Sequence, residues 1–304
     1  MIFIVDEASQ QNLKSFSTGA SWGCAISYNV VSGRFCEPQE PIILAQIPLY
    51  QEGRGAMTTL TIRLLGPLRA DVAGQPIQDL KTNKVRGLLA YLAVESDRPS
   101  SRESLAGMFW PEFSERRARA NLSQALFTLR HGIGDKPAAQ PFLIVDRDAI
   151  QFIPDKRLWV DVHAFAAGVT DNKRASTWTM IHKLETAVTL YEGEFMEGFS
   201  LAGCPPFEMW CLTLRERLHR HMSDALTQLV DFYERQAGYE TALTYASRLI
   251  ALDGWREEAH VAMMRLLALC GRRSEALAQY EACRRILEEN LGIAPMRQTT
   301  TLYG

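Results

Sequence analysis

Between Ser114 and His131 the chain reads SERRARANLSQALFTLRH. Leu122, Leu126, Leu129 and Ile133 recur at helical spacing, and the last three, with Ala118, fall within about 40° of Leu122 when each residue advances about 100°. Strand geometry would scatter these residues over both faces, so the segment must form a helix with one buried side. Ser114 is placed as its N-cap, Glu115 suits the positive end of the helix dipole, and Gly132 and Gly134 end it. The opposite side carries Arg116, Arg117, Ala120, Ser123, Gln124, Phe127, Thr128 and His131, with Asn121 and Arg130 flanking. A merely solvated face favours Glu and Lys in i,i+4 pairs. This face instead has arginines at its start, amides and hydroxyls in its middle, and an exposed aromatic.

The surroundings of this helix set its fold. Short β-type runs at Leu60–Leu65 and Leu68–Ala73 are punctuated by Gly66-Pro67 and by a hairpin turn at Gly74-Gln75. Val85, Leu88, Leu89 and Leu92 define a first helix. Ser100 and Glu103 stand at capping-box spacing before a second, which Trp110-Pro111 stops. After the arginine-rich helix, FLIVDRDAIQFI gives two β-type runs around Asp146-Arg147-Asp148. Sheet, three helices and a terminal hairpin are the order of a winged helix-turn-helix.

From about Trp159 onward the pattern is helical almost throughout. GYETALTYASRLIALD and RRSEALAQYEACRRILEE align at a spacing of 34, Ala242 with Ala276 and Leu243 with Leu277. That is the tetratricopeptide period, with small residues at close helix crossings. Two clear units are fewer than a solenoid needs, so helices from 176–236 are expected to pack beside them. The fold class is therefore mainly α with a small antiparallel β part. The expected divisions are an N-terminal extension over 1–56, a winged helix over 57–157 and an all-helical repeat domain over 158–304.

Composition narrows the function by exclusion. The net charge of −2 means that an anionic partner is met by a local patch and not by the whole molecule. Apolar residues make up 47% of the chain, enough for a packed core, yet no apolar run is long enough for a membrane span. The start, MIFIVDEASQQ, lacks a basic n-region, so a cytoplasmic protein is expected. None of the six cysteines forms a CxxC pair, and buried reduced thiols are the simplest reading. His219 and His221 point about 200° apart on a helix and read as solvated, not as metal ligands. The acids of EEAH at 257–260 read as surface charges, and Trp159, Trp178, Trp210 and Trp255 as core. No nucleophile turn, phosphate loop or metal spacing occurs, so neither catalysis nor a cofactor is expected.

The polar face of 114–131 has chemistry of its own. Arginines reach phosphates or guanine edges, Gln and Asn pair with adenine, and Phe or Ala packs on a thymine methyl. The face is thus expected to meet a DNA major groove. Ser101 and Arg102 at the start of the preceding helix, and Arg147 at the hairpin tip, complete the candidate DNA-binding set with Arg116, Arg117, Ala120, Asn121, Ser123, Gln124, Phe127, Thr128, Arg130 and His131. Asp146 and Asp148 oppose phosphate contact at the tip. The rival reading is a helical-repeat scaffold whose winged helix is a docking module, which requires a contiguous apolar patch on this helix.

LTIRLLGPLRADVAGQPI, the run from Lys84 through Asp135, and FLIVDRDAIQF resemble the OmpR-type winged helix of SARP-type bacterial regulators. LWVDVHAFAAGV, YEGEFMEGF and the run from Trp255 to Pro295 resemble the bacterial transcriptional activator domain that follows it in that family. The resemblance covers roughly 57–304. It implies an activator that binds double-stranded promoter DNA at direct repeats as self-associating protomers. It also implies recruitment of RNA polymerase through a sigma or alpha subunit.

Met57 directly precedes the first strand pattern, while 1–56 has no periodicity. A chain beginning at Met57 is expected to melt within a few degrees of the full chain and to bind DNA equally well. A larger loss in either measurement shows that the extension packs on the core.

Overall fold

The computed structural model describes residues 58–303 apart from 79, 81, 136–140 and 171–176. The expectation for 1–56 lies outside these residues. Strands β1 (Leu60–Arg63), β2 (Arg69–Val72) and β3 (Gln75–Pro76) open the fold. Helix α1 (Asn83–Val94), strand β4 (Ser100–Ser101), α2 (Arg102–Phe109) and α3 (Glu115–Gly132) follow, then β5 (Leu143–Val145) and β6 (Ala149–Phe152). Strand β7 (Leu158–Val160) leads into α4 (Asp161–Thr170), α5 (Thr177–Leu190), α6 (Pro205–Arg235), α7 (Tyr239–Leu252), α8 (Glu257–Leu269), α9 (Arg273–Leu291) and α10 (Arg297–Tyr303). One sheet has the order β3-β2-β1-β7 and a second the order β4-β6-β5.

Two β-region expectations shift by a residue or two, each for a physical reason. Strand β1 ends at Arg63, not Leu65, because the N–H groups of Leu64 and Leu65 leave the ladder and donate to Asp161 Oδ2 at 2.7 and 2.8 Å. The hairpin turn is Ala73-Gly74, both at positive φ of 50° and 77°, which matches the twist of its flanking strands. The N-cap of α2 is likewise Ser101 and not Ser100: Ser100 is held in the sheet opposite Ile150, and Ser101 Oγ accepts from Ser104 N at 3.0 Å.

Strand β7 pairs in parallel with β1, so the chain entering the helical half is part of the N-terminal sheet. The junction continues beyond it. Asp161 Oδ1 accepts from Val162 N at 2.7 Å, which gives this buried carboxylate three backbone donors. The loop between α5 and α6 answers from the other side: Met196 N donates to Leu64 O at 2.7 Å, Gly66 N to Glu194 O at 3.0 Å and Glu197 N to Gly66 O at 3.0 Å. Arg215 holds that loop by donating to the carbonyls of Phe195, Met196 and Phe199. Below it, Phe109 of α2 packs on Phe207 of α6 with centroids 5.2 Å apart, and Trp210 Nε1 donates to Glu95 Oε1 at 2.9 Å. Gly87 of α1 lies where a Cβ would come within 2.8 Å of Leu201 Cδ1, so a larger residue there would require that leucine to shift. One continuous apolar core runs through both.

Helices α7 and α8 form the first repeat pair and α9 and α10 the second. Ala242 and Ala276 are both buried, as close crossings require, whereas Leu277 is half exposed and Leu243 is not. Trp178 and Trp255 are 66% and 60% exposed and are not core residues; Trp178 instead meets Phe232 edge-on at the surface. Trp159 and Trp210 are half-buried. Glu257 is also not a surface charge: it is buried and accepts from Met296 N at 2.7 Å and from the Thr299 hydroxyl, tying α10 back onto α8.

Asp161→Ala would leave the Leu64 and Leu65 N–H groups buried without acceptors. Each such donor costs about 1–3 kcal/mol, so a loss of about 2–4 kcal/mol is expected, or roughly 5–15 °C in melting temperature. Burial raises the Asp161 carboxyl above its ordinary value, outweighing the three N–H donors and the Arg63 charge that lower it. The native chain therefore holds that proton more tightly than the unfolded one. Stability from this group falls as pH rises from the ordinary aspartate range through the raised value. The variant is expected to lose that part of the pH dependence, measured by denaturant midpoints across a pH series.

Candidate nucleic-acid interface

Helix α3 is fixed from below by Ala118, Leu122, Ala125, Leu126 and Leu129, with Ile133 just beyond its end, all buried against α1 and α2. A tight connection leads into it, with Trp110 capping α2 and Phe113 N donating to Trp110 O at 3.2 Å. Ser114 is the N-cap by position but makes no side-chain cap bond. At the other end Ile133 N donates to Leu129 O at 3.0 Å, and Gly134 follows at a φ of 67°.

The solvent-facing strip of α3 carries Arg116, Arg117, Ala120, Ser123, Gln124, Phe127 and His131, all exposed, with Asn121, Thr128 and Arg130 half-buried on its flanks. These side chains are not equally free. Arg116, Gln124 and His131 have no partner among the described residues. Arg117 stacks its guanidinium over the Phe113 ring at 4.6 Å, and Arg119 pairs with Glu115 at 2.6 Å. Ser123 Oγ donates to Arg119 O at 2.9 Å and Thr128 Oγ1 to Gln124 O at 3.1 Å. Their hydroxyl protons are thus used within the helix, and they present acceptor lone pairs outward. Arg130 turns its Nε onto Asp135 Oδ2 at 2.8 Å. Phe127 is 68% exposed and is the one large apolar side chain of this helix that is.

The β5–β6 hairpin stands beside α3 as the wing. Asp146 N donates to Ala149 O at 2.9 Å to close its turn, which leaves Arg147 exposed at the tip between Asp146 and Asp148. The start of α2 is stitched to this turn: Arg102 Nε donates to Asp146 O at 3.0 Å and Arg102 N to Asp148 O at 2.9 Å. Ser101 is engaged on both sides by Ser104, whose N–H it accepts and to whose hydroxyl it donates. Between α3 and the wing lies a groove of about 440 Å³, lined by Arg102, Ser123, Phe127, Arg130, His131 and Val145 among others. Sequence reasoning did not find Asp135 or the 45% exposed Ile144 of the wing. Periodicity carries no signal for an acid beyond a helix end, and a three-residue strand is too short to fix which side faces solvent.

Candidate chemistry elsewhere is structural. His219 Nε2 lies 3.3 Å from Leu252 O, and His221 is half-buried, with burial lowering its pKa below the ordinary value. Neither is the freely solvated histidine expected from spacing. Among the described residues no group of three or more His, Cys, Asp or Glu side chains stands close enough to hold a metal, and no helix is long and apolar enough to cross a membrane. Cys204, Cys211 and Cys283 are buried free thiols.

Residues 160–304 match the family model of the bacterial transcriptional activator domain. Transcriptional regulatory protein EmbR of Mycobacterium tuberculosis is 25% identical over 252 residues, which is 78% of this chain and 60% of that protein. Regulatory protein AfsR of Streptomyces coelicolor is 27% identical over 255 residues, 82% of this chain and 24% of that protein. These likenesses together support a SARP-type transcriptional regulator. A solved structure of EmbR from Mycobacterium tuberculosis, in complex with a low-affinity phosphopeptide, superposes with a TM-score of 0.61 at 22% identity, over 81% of this chain and 64% of that one. That likeness is one of fold, and it reaches over both the N-terminal sheet-and-helix half and the helical half of the chain. The chain spans 60% of the length of the EmbR relative and 24% of the AfsR relative.

Proposed function

We propose that this SARP-type regulator is a cytoplasmic, sequence-specific DNA-binding activator that lays α3 in a promoter major groove. The carrying observation is the unbroken strip of exposed polar side chains on α3, with Arg116 and Gln124 unpartnered among the described residues, next to a wing. A docking helix would expose a contiguous apolar patch, and on α3 Phe127 is the only exposed large apolar residue.

Roles divide along the helix. Arg116 and Arg117 at its start contact phosphates, an attraction that is long-ranged and blind to sequence. Ala120, Asn121, Gln124, Phe127 and Thr128 read bases one turn apart. Ser123, His131, Ser101 and Arg102 flank the backbone on either side of the groove beside the wing, and Arg147 enters the adjacent minor groove. The winged helix over 57–157 binds direct repeats, and 158–304 supports pairing of protomers on them and recruitment of RNA polymerase through a sigma or alpha subunit. No cofactor or catalytic step enters this reading.

Neutralising about five phosphates gives a log–log salt slope near −4 to −5. Arg116→Ala is expected to weaken binding to operator and scrambled duplexes alike and to lower the slope by about one. Gln124→Ala is expected to lose about 1–3 kcal/mol on the operator only, with relaxed preference at one base pair. Leu126→Asp, which breaks the buried face, is the unfolding control. Anisotropy on both duplexes across a salt series decides the matter. Equal losses for Gln124→Ala on both duplexes, or no change for either variant, would overturn the reading in favour of the scaffold.

A further inference from the structure

Arg130 stands on the flank of the proposed DNA-facing strip, yet it is committed elsewhere. Its Nε donates to Asp135 Oδ2 at 2.8 Å, and its carbonyl accepts Asp135 N at 2.8 Å. The Asp135 side chain is wholly buried, whereas that of Arg130 is 29% exposed. The other carboxylate oxygen of Asp135 accepts Phe142 N at 2.6 Å. Phe142 leads directly into β5, and its carbonyl accepts Ile153 N, just past β6, at 2.8 Å. One carboxylate therefore links the last turn of α3 to Phe142 at the base of the wing hairpin, and Phe142 in turn accepts from Ile153 on the hairpin's other side. A buried carboxylate needs a counter-charge as well as hydrogen bonds, and Arg130 supplies it. Arg130 is also a wall of the groove between α3 and the wing, opposite Val145.

We propose that the Arg130–Asp135 pair is a positioning device: it sets the separation of α3 and the wing, and through it the point at which Arg147 meets DNA. The proposal rests on the DNA-binding reading above and gives Arg130 a role other than phosphate contact. Two roles for one arginine make opposite demands. A phosphate-binding arginine is released by loss of its acidic partner, so Asp135→Asn would leave affinity unchanged or raise it. A brace fails whichever end is cut. Lysine keeps the charge that a phosphate needs, but it lacks the guanidinium Nε and the planar fork that meet Asp135.

The test uses the full chain and a duplex that it selects from a random pool. Arg130→Ala and Asp135→Asn are each expected to lose roughly ten-fold in affinity, about one hydrogen-bonded contact's worth, and the double variant no more than either alone. Arg147→Ala is expected to cost affinity in the parent chain and nothing in the Arg130→Ala background, because the wing is already displaced. A general loss of stability does not produce that coupling. Arg130→Lys is expected to behave like Arg130→Ala. Arg130→Met, which keeps the aliphatic stem, serves if Arg130→Ala does not fold. In the DNA-free chain, amide exchange is expected to quicken over 142–152 with α1 unchanged. The proposal is overturned if Arg130→Lys retains parental affinity while Asp135→Asn binds as well or better, or if exchange over 142–152 is unaltered. A parent chain that selects no duplex overturns the DNA-binding reading and the positioning role with it; the exchange measurement then still decides separately whether the pair holds the wing.

Discussion

The carboxylate of Asp161 is the point on which the two halves of the molecule are hung. It sits at the start of α4, immediately after the strand that completes the N-terminal sheet, and takes the N–H groups of Leu64 and Leu65 just where β1 gives up its ladder. A buried charge is tolerated only when its lone pairs are filled, and backbone donors cannot move away without unfolding the strand. The contact therefore fixes orientation as well as distance. The α5–α6 loop then closes on the same segment from the opposite side, through bonds to Leu64 and Gly66. Three chain segments distant in sequence meet there, so helical half and winged helix are joined by backbone hydrogen bonds and not by side-chain packing alone.

That junction bears on how such a regulator would work. If the helical half aids pairing on repeated sites, its surface must stand at a defined angle and distance from α3, since half-site spacing is a geometric quantity. A hinged linker would spread that angle and dilute cooperativity. Here aromatic contacts among Phe109, Phe207 and Trp210, and the close approach of α1 at Gly87 to Leu201, pack the two halves against each other. The exposed Trp178, Trp255, Met209 and Leu212 lie on the helical half that these contacts join to the winged helix.

Helix α3 was legible because two independent signals agree there: Leu122, Leu126, Leu129 and Ile133 keep period, and every one of them is buried. The hairpins were legible from their turn residues to within a residue. What sequence could not show was pairing across long separations. Nothing local marks Asp161 as an acceptor for residues almost a hundred positions earlier, so sequence pattern makes β1 two residues too long and places 158–160 within a helical region. Tryptophan was misjudged in the other direction: size argues for burial, but Trp178 and Trp255 lie on outer faces that no local pattern identifies. Glu257 reversed its expected place because its partners, Met296 and Thr299, arrive from α10. On the candidate site, periodicity placed each residue on the correct side of the helix but could not tell a free arginine from a committed one. Arg116 and Arg130 look alike in sequence and differ only in Asp135.

The distribution of charge explains how a chain of net charge −2 would still discriminate among DNA sequences. Long-range attraction scales with the whole field, and here it is small, so weak non-specific holding is expected at physiological salt. The cations of α3 are moreover partly neutralised: Arg119 by Glu115 and Arg130 by Asp135, while Asp146 and Asp148 flank the tip of the wing. What remains unneutralised is concentrated at Arg116, Arg117 and Arg102, within reach of α3's first turns and the groove beside the wing. An interface of this kind gains little from any duplex and more from one that also fits Gln124 and Phe127. Specificity is the ratio of the two affinities, and lowering the sequence-blind part raises that ratio without adding a single base contact.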